Sequence, residues 1–556
     1  MDVKKYILIS INATHITGNP YKDIETPGWR AKALYFTYFD KNGIQIGRMR
    51  TIKLQRGQAI SKELINDIEN DDVIKLSFAA NTTRIYLSKL LDYPVHNYLS
   101  CSSWADIQVL ARLNGYKADT VTQLAKTLGT FNSSHFSMLI KCVKRLTASG
   151  CINLTQLAGY FATQKINDQS VAIDTNLLEV CIKLIEKYNK AIIEFESNTN
   201  YPVSCKNITR DFCDKYNISS TDEIYMLLDD PSQLSDLEVD LIHILMFKNS
   251  KIVKLIKKIS NSICHDGKLR GMINFFQNKE TGFNGYIDLF DRRNKIISVS
   301  PKEVIRVIKN NKQINIRRSP MIIKRLKALL PLLLSFDHQK IIIDLSKATE
   351  YAMAKLSGCD WRIKAFESNS LDAELRSRWI SANYPNIDII KLDTKFVLGI
   401  YHTNFDESII SEWKEFNRDI IFTRGNIIYA AHRALQEKKQ IWFQGVIFDH
   451  GNKQLLIYLT TGRTIRMPVE YNQQEIKISS TGKRLTGAFL FRLICQSLQR
   501  DVLIHILVDL LSKGYNVAYY SNSQIVIDDA NPLTPQIMYL PCVTIIYDIT
   551  PNTPLL

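Results

Sequence analysis

From Gly514 to Asp529 the chain reads GYNVAYYSNSQIVIDD. The pattern predicts a buried strand, a sharp polar tip and a second apolar strand. A hairpin tip of this shape is a good place to present catalytic side chains, yet Ser521-Asn522-Ser523-Gln524 carries no charge. The next acids, Asp528 and Asp529, fall at the far end of the returning strand, about 15–20 Å from the tip at the usual rise. A second apolar run, KIIIDL from Lys340 to Leu345, ends on Asp344. A carboxylate at a strand end can hold a hard cation. With Ser346 two residues on, the same aspartate also suits a cap for the following helix.

These residues need a framework. The stretch FLFRLICQSLQRDVLIHILVDLLSKG predicts a long helix leading into the hairpin, with Gly514 where a helix-terminating glycine belongs. KIIIDL is followed by the helix-like YAMAKLSG, and QGVIFD and KQLLIYL predict strands flanking a turn at Asp449-His450-Gly451-Asn452. Over residues 1–100, YILISI, KALYFTYF, IGRMRTIKL and DVIKLSF predict a mixed sheet, and residues 104–150 are helical in pattern. LLEVCIKLIEKYNKAIIEF and VDLIHILMFKNSKIVKLIKKI show helical spacing. The second predicts one long basic amphipathic helix, whose lysines suit either a solvated face or a phosphate backbone.

A chain of 556 residues exceeds one hydrophobic core. Its 45% apolar and 23% charged residues are those of a globular protein. A net charge of +16 fits either a polyanion partner or a lysine-rich solvated surface. The 10 cysteines form no CxxC or CxxH pair, which speaks against a zinc cluster and for reduced, core-filling thiols. Neither MDVKKYILISINATHITG nor Ala328–Ser335 is long enough to span a bilayer. The expectation is an intracellular, cytoplasmic protein without a membrane partner.

Four blocks, in order, resemble the family A (polymerase-I-like) DNA polymerases of phages. Gln164-Lys-Ile-Asn-Asp-Gln-Ser-Val-Ala-Ile-Asp174 is similar to their QRINDRGIxVD segment at the start of the thumb. Asp266-Gly-Lys-Leu-Arg-Gly271, with Thr281-Gly282, resembles DGRxRG…TGR. Lys340–Ser346 with Leu356-Ser-Gly358 resembles the first palm motif, xxxDxSxIExRxxAxLxG. Gln496-Ser-Leu-Gln-Arg-Asp501 resembles QAxARD and runs without a gap into GYNVAYYSNSQIV, similar to GYPVVLHVHDEIV. Between these blocks, Leu459–Pro468 resembles LPSGRxLxYP, and near the start Trp104-Ala-Asp106 and Leu124–Gly129 resemble WxDT and LAKxLG of the proofreading domain.

The resemblance implies a multidomain α/β (α+β) fold in three parts. An RNase-H-like 3′–5′ exonuclease-like domain over 1–150 would precede a helical thumb-like region over 151–300, then palm and fingers over 301–556. It also implies nucleotidyl transfer by two Mg²⁺ ions held by aspartates at the KIIIDL strand end and the hairpin tip. Asp344 holds the first position, but the second is Ser523, and Asn522-Ser523-Gln524 stands where the family has His-Asp-Glu. A neutral hydroxyl offers neither the charge nor the oxygens of a carboxylate. The motif's glutamate falls on Thr349, with Glu350 one place late. In the fingers stretch Ile389–His402, Ile389 and Asp393 take the positions of the triphosphate-binding Arg and Lys, with Lys391 and Lys395 on other faces. An aspartate beside a triphosphate would repel it. Phe283, Asp288, Phe290 and Asp291 replace further DNA-facing donors. In the proofreading site, Ser10, Asn12, Thr83 and Cys142 stand at the four acid positions.

The expected reading is therefore a pseudo-polymerase of a phage or mobile-element replication system, inactive in both chemistries. No metal or other cofactor is expected, with Mg²⁺ required only if the chain is an active, divergent polymerase. Arg270, Lys268, Arg463, Gln496 and Arg500 match family positions that face nucleic acid, although Arg500 and Asp501 equally suit a helix-surface pair. Expected partners are primer–template or duplex DNA and an active polymerase or another replisome subunit. A protein scaffold that no longer touches nucleic acid is a third reading.

Overall fold

The computed structural model describes residues 5–271 and 315–548, apart from 115, 117, 132–133, 149–151, 153–156, 219, 330–332, 336–339, 379–388, 400–406, 452, 473–474, 480–481, 521–522 and 530–540. The N-terminal sheet contains β1 (Lys5–Ala13), β2 (Ala31–Asp40), β3 (Gln45–Ile52), β4 (Val73–Ser77) and β5 (Trp104–Asp106), in the order β3-β2-β1-β4-β5. β1 runs antiparallel to β2 and parallel to β4, which is the RNase-H-like arrangement. Alternation along β1 sends Ile7 and Ile9 into one core layer and Tyr6 and Leu8 into the other.

A helical region follows, with helices over Thr175–Thr199, Cys205–Tyr216, Asp236–Asn249, Lys251–Ser262 and Ser319–Leu329. The single basic helix expected from sequence is two. The backbone turns at Ser250, whose side chain caps the second helix at Val253 N, so the lysines belong to a separate 12-residue helix. A small sheet, β7-β6-β8, joins β6 (Val171–Ile173), β7 (Lys268–Leu269) and β8 (Leu334–Ser335) at the base of these helices.

The C-terminal part holds two sheets. One is β15-β16-β9-β17, formed by β9 (Lys340–Asp344), β15 (Val517–Tyr520), β16 (Gln524–Asp528) and β17 (Thr544–Asp548). The other runs in sequence order through β10 (Ile441–Phe443), β11 (Val446–Gly451), β12 (Gln454–Tyr458), β13 (Thr464–Asn472) and β14 (Glu475–Ile478). The turn expected at Asp449–Asn452 lies further on, because His450 and Gly451 still pair with β12. The Gly487–Ser512 helix links the two cores: its first half packs with the five-stranded sheet and its second half with the four-stranded one. It ends at Gly514, φ +83°, a left-handed position that favours glycine.

Arg84, fully buried in the N-terminal part, fixes that part to the helical region. Its guanidinium binds both oxygens of Asp168 at 2.9 and 2.6 Å and the Leu99 carbonyl at 2.6 Å. Tyr21 donates to the same carboxylate at 2.7 Å, and a side chain at Gly271 would strike the Tyr21 ring. Removing one partner of a buried pair leaves an uncompensated charge. Asp168→Ala is expected to cost about 3–5 kcal/mol, read as a lower urea midpoint by intrinsic fluorescence; an unshifted midpoint would exclude this latch.

Candidate functional site

β9 lies between β16 and β17, and Ile341, Ile342 and Ile343 are buried against Ile527, Val526 and Ile525. This register sets Asp344 opposite Gln524. The half-buried Asp344 accepts from Ser346 N at 2.7 Å in a local turn; it does not cap the following helix, whose N-cap is Lys347 without a side-chain hydrogen bond, a correction to the expected capping role. Ser523 is buried, and its carbonyl accepts from Leu345 N at 2.6 Å. Gln524 is only 4% exposed, and its side-chain oxygen has no hydrogen-bond partner among the described residues. Asn522 lies outside the described residues. Asp528 pairs with Lys340, the far end of β9 from Asp344, and Asp529 accepts from Asn516 N at 3.1 Å. The returning strand thus keeps its acids away from the tip.

The helix after β9 (Ala348–Ser357) adds neutral partners. Thr349 donates to the Gln499 side-chain oxygen, and Gln499 Nε2 donates to the Leu345 carbonyl at 3.1 Å. Gln499 was not singled out in the sequence; its place one helical turn after Gln496 is the only signal that marks it. Glu350 points instead toward the Ile389–Val397 helix, where Arg362 grips Asp393 at 3.1 and 2.5 Å. Trp413 Nε1 also donates to Asp393 at 2.7 Å, and Asn417 accepts from Arg362 Nε at 2.8 Å. Asp393 therefore does not face a triphosphate: it is 1% exposed and held inside the fingers-like helices, a correction to the expected repulsion. Ile389 begins that helix and is half-buried. Arg424 fixes the helix's other end, donating to the Phe396 and Val397 carbonyls at 2.7 Å each.

The arginines expected to face nucleic acid, Arg270, Arg463 and Arg500, each have a carboxylate partner within the fold. Arg270, buried, pairs with Asp266 at 2.8 Å. Arg463 pairs with Asp501 at 2.7 Å and donates to the Ser497 carbonyl at 2.9 Å. Arg500 is buried beside Asp501 at 3.5 Å, and burial, with Arg463 nearby, lowers its pKa to about 10. In each case a carboxylate close in the fold competes for the fork. Lys268 lies half-buried on β7 and Gln496 half-buried on the long helix. By contrast Lys251, Lys254, Lys257 and Lys258 are all exposed on the Lys251–Ser262 helix.

In the N-terminal sheet Ser10 and Asn12 stand on β1, half-buried and exposed. The Thr83 hydroxyl bonds Ser77 Oγ at 2.8 Å, and Cys142 lies 3.4 Å from Thr130 Oγ1 with its thiol pKa raised by burial. Asp106 serves as a cap: it accepts from Gln108 N at 2.8 Å and from Ala80 N at 2.9 Å. Phe283, Asp288, Phe290, Asp291, Tyr401 and His402 lie outside the described residues.

Two hard cations need several carboxylate oxygens between them. The β9–β16 strand ends supply Asp344 beside a serine and a glutamine, and this donor set does not fit a metal pair. Among the described residues no cluster of three or more His, Cys, Asp or Glu side chains could hold an ion. None of the described helices is long and apolar enough to cross a membrane.

An RNase-H-like sheet, a helical region and a two-sheet C-terminal part built around one long helix make up the fold of a polymerase. The POL domain of Pol1 from M. smegmatis, solved in complex with DNA primer-template and dNTP, is similar over 98% of this chain and 95% of that one, with a TM-score of 0.58 at 11% identity. The sequence matches no family model and no curated protein.

The buried network by the fingers-like helix has a pH signature. Burial, then the charge of Asp393, raises the Glu350 pKa to about 7 from an ordinary 4.5. Between these values the folded chain keeps a proton that the unfolded chain releases. The stability this contributes is full below pH 4.5 and is lost as pH rises through about 7. Glu350→Gln should flatten that fall in urea midpoints measured from pH 5 to 8; parallel profiles for both chains would refute it.

Proposed function

We propose that this chain is a DNA-binding protein of polymerase fold that has given up two-metal chemistry. It serves as an accessory or architectural subunit in a phage or mobile-element replication system, beside an active polymerase or another replisome protein. The observation that carries the reading is the β9–β16 strand end, where Asp344 meets Gln524 and Ser523 instead of a second carboxylate. The neutral residues at Ser10, Asn12, Thr83 and Cys142 support the same loss in the N-terminal part. Binding to DNA is supported by the excess of +16 and by the exposed lysines of the Lys251–Ser262 helix, which can neutralise phosphates without geometric matching. We read residues 1–150 as the exonuclease-like part, 151–300 as thumb-like, and 301–556 as palm and fingers. No cofactor is assigned.

Primer–template extension assays with Mg²⁺ and with Mn²⁺ test the catalytic half. No extension is expected; template-dependent extension abolished by Asp344→Ala would establish an active polymerase instead. Ser523→Asp should create measurable Mn²⁺ binding, by calorimetry, where the parent chain has none.

Fluorescence anisotropy on labelled primer–template tests the binding half. Affinity should fall steeply with salt, and the triple variant Lys254→Ala, Lys257→Ala, Lys258→Ala should flatten the log–log slope by roughly 2–3. Absence of binding at low salt would leave only a protein scaffold.

A further inference from the structure

The five-stranded sheet β10–β14 has one face on the core and one toward solvent. Val446, Phe448, Leu455, Ile457, Ile465 and Met467 are buried on the core side. The printed pairings put Trp442 opposite Ile447, Ile447 opposite Tyr458 and Tyr458 opposite Thr464 on the other side. Trp442 is 70% exposed, so its ring covers almost nothing in this chain. Tyr458 stands two strands away, about 9–10 Å at the usual spacing, with Ile447 between them.

This row is ordered and flanked by positive charge. Gln440 Nε2 donates to Asp449 Oδ2 at 3.0 Å, and burial, then the Asp449 charge, raises the pKa of the Tyr458 hydroxyl. Arg466 lies diagonal to Tyr458, opposite Leu456 on the next strand, and its charge acts on the phenol. Lys438 and Lys439, both exposed, lead into the strand that bears Trp442. Asp449 is the acid within the row, and Gln440 and the His450 N–H engage it.

We propose that this sheet face is a binding platform for single-stranded nucleic acid, with bases stacked on Trp442 and Tyr458 and phosphates held by Arg466, Lys438 and Lys439. It rests on the nucleic-acid reading above and adds a site separate from the β9–β16 strand end. Unpaired bases offer ring faces to aromatic side chains, whereas the bases of a duplex are stacked on one another. The positive fringe matches a polyanion rather than an apolar protein segment.

The test is anisotropy with a labelled 15-mer of thymidylate and with a labelled blunt duplex, on the full chain. Trp442→Ala and Tyr458→Ala should each weaken single-strand binding by about five-fold or more while duplex affinity stays as in the parent. Trp442 is exposed, so its loss leaves the core intact; Trp442→Phe should restore most of the affinity. Unchanged single-strand binding in both alanine variants, with duplex binding present, overturns the platform and leaves the parent reading standing. No binding of either probe overturns both. Self-association that Trp442→Ala abolishes, without an effect on the 15-mer, assigns the face to protein contact and likewise overturns it.

Discussion

The pairing of β9 with β16 is the constraint on which the site depends. Ile341, Ile342 and Ile343 lie buried between two neighbouring strands. A slip of one residue would draw Asp344 or Lys340 toward that apolar row, and desolvating either charge without a partner is expensive. The register therefore holds whatever stands at the hairpin tip. Asp344 is carried to the same strand end as Ser523 and Gln524 by isoleucines, with no contribution from a metal or a second acid. The shape of the turn and the side chains at its tip rest on different atoms, so the tip residues can change while the shape is kept.

Under the proposed function, a strand end with one carboxylate has a stabilising side. Two carboxylates at adjacent strand ends repel each other unless cations are bound between them. With Ser523 and Gln524 at the neighbouring strand end, Asp344 accepts from the Ser346 N–H in a local turn. The neighbouring helix shows the same substitution of hydrogen bonds for charge, with Thr349 joined to Gln499 and Gln499 to the Leu345 carbonyl. Two acids near this helix are buried: Asp393 answers Arg362 and accepts from Trp413, and Glu350 is pushed toward its neutral form.

Local pattern made much of this fold legible. The apolar runs of β1, β2, β4 and β9 appear as strands where the sequence indicates them, and the long helix ends at Gly514 as its glycine suggests. The neutral tip was readable from residue types alone. Pairings between distant residues were not. Nothing near Asp168 in sequence points to Arg84, and nothing near Asp393 points to Arg362, because these contacts depend on which surfaces meet. The same gap explains Arg463, which looks like a free donor in a string of letters, while the fold brings Asp501 against it. The break between two helices at Ser250 was missed because one serine in an apolar repeat is a weak stop, and only its side chain on Val253 N reveals a cap.

These engagements divide the positive charge into two populations with different physics. Arginine forks match carboxylates in a planar, bidentate way and tolerate partial burial, so the chain spends Arg84, Arg362 and Arg463 on internal joints. Lysine is a hydrated point charge on a flexible stem, and the Lys251–Ser262 helix keeps its lysines in solvent. A surface of that kind attracts phosphates without fixing their geometry, so the attraction falls quickly with salt and is indifferent to base sequence. Under the proposed function, grip on DNA would come from such mobile charge and from exposed rings such as Trp442. The rigid guanidinium network would hold the scaffold's parts in place while DNA is bound.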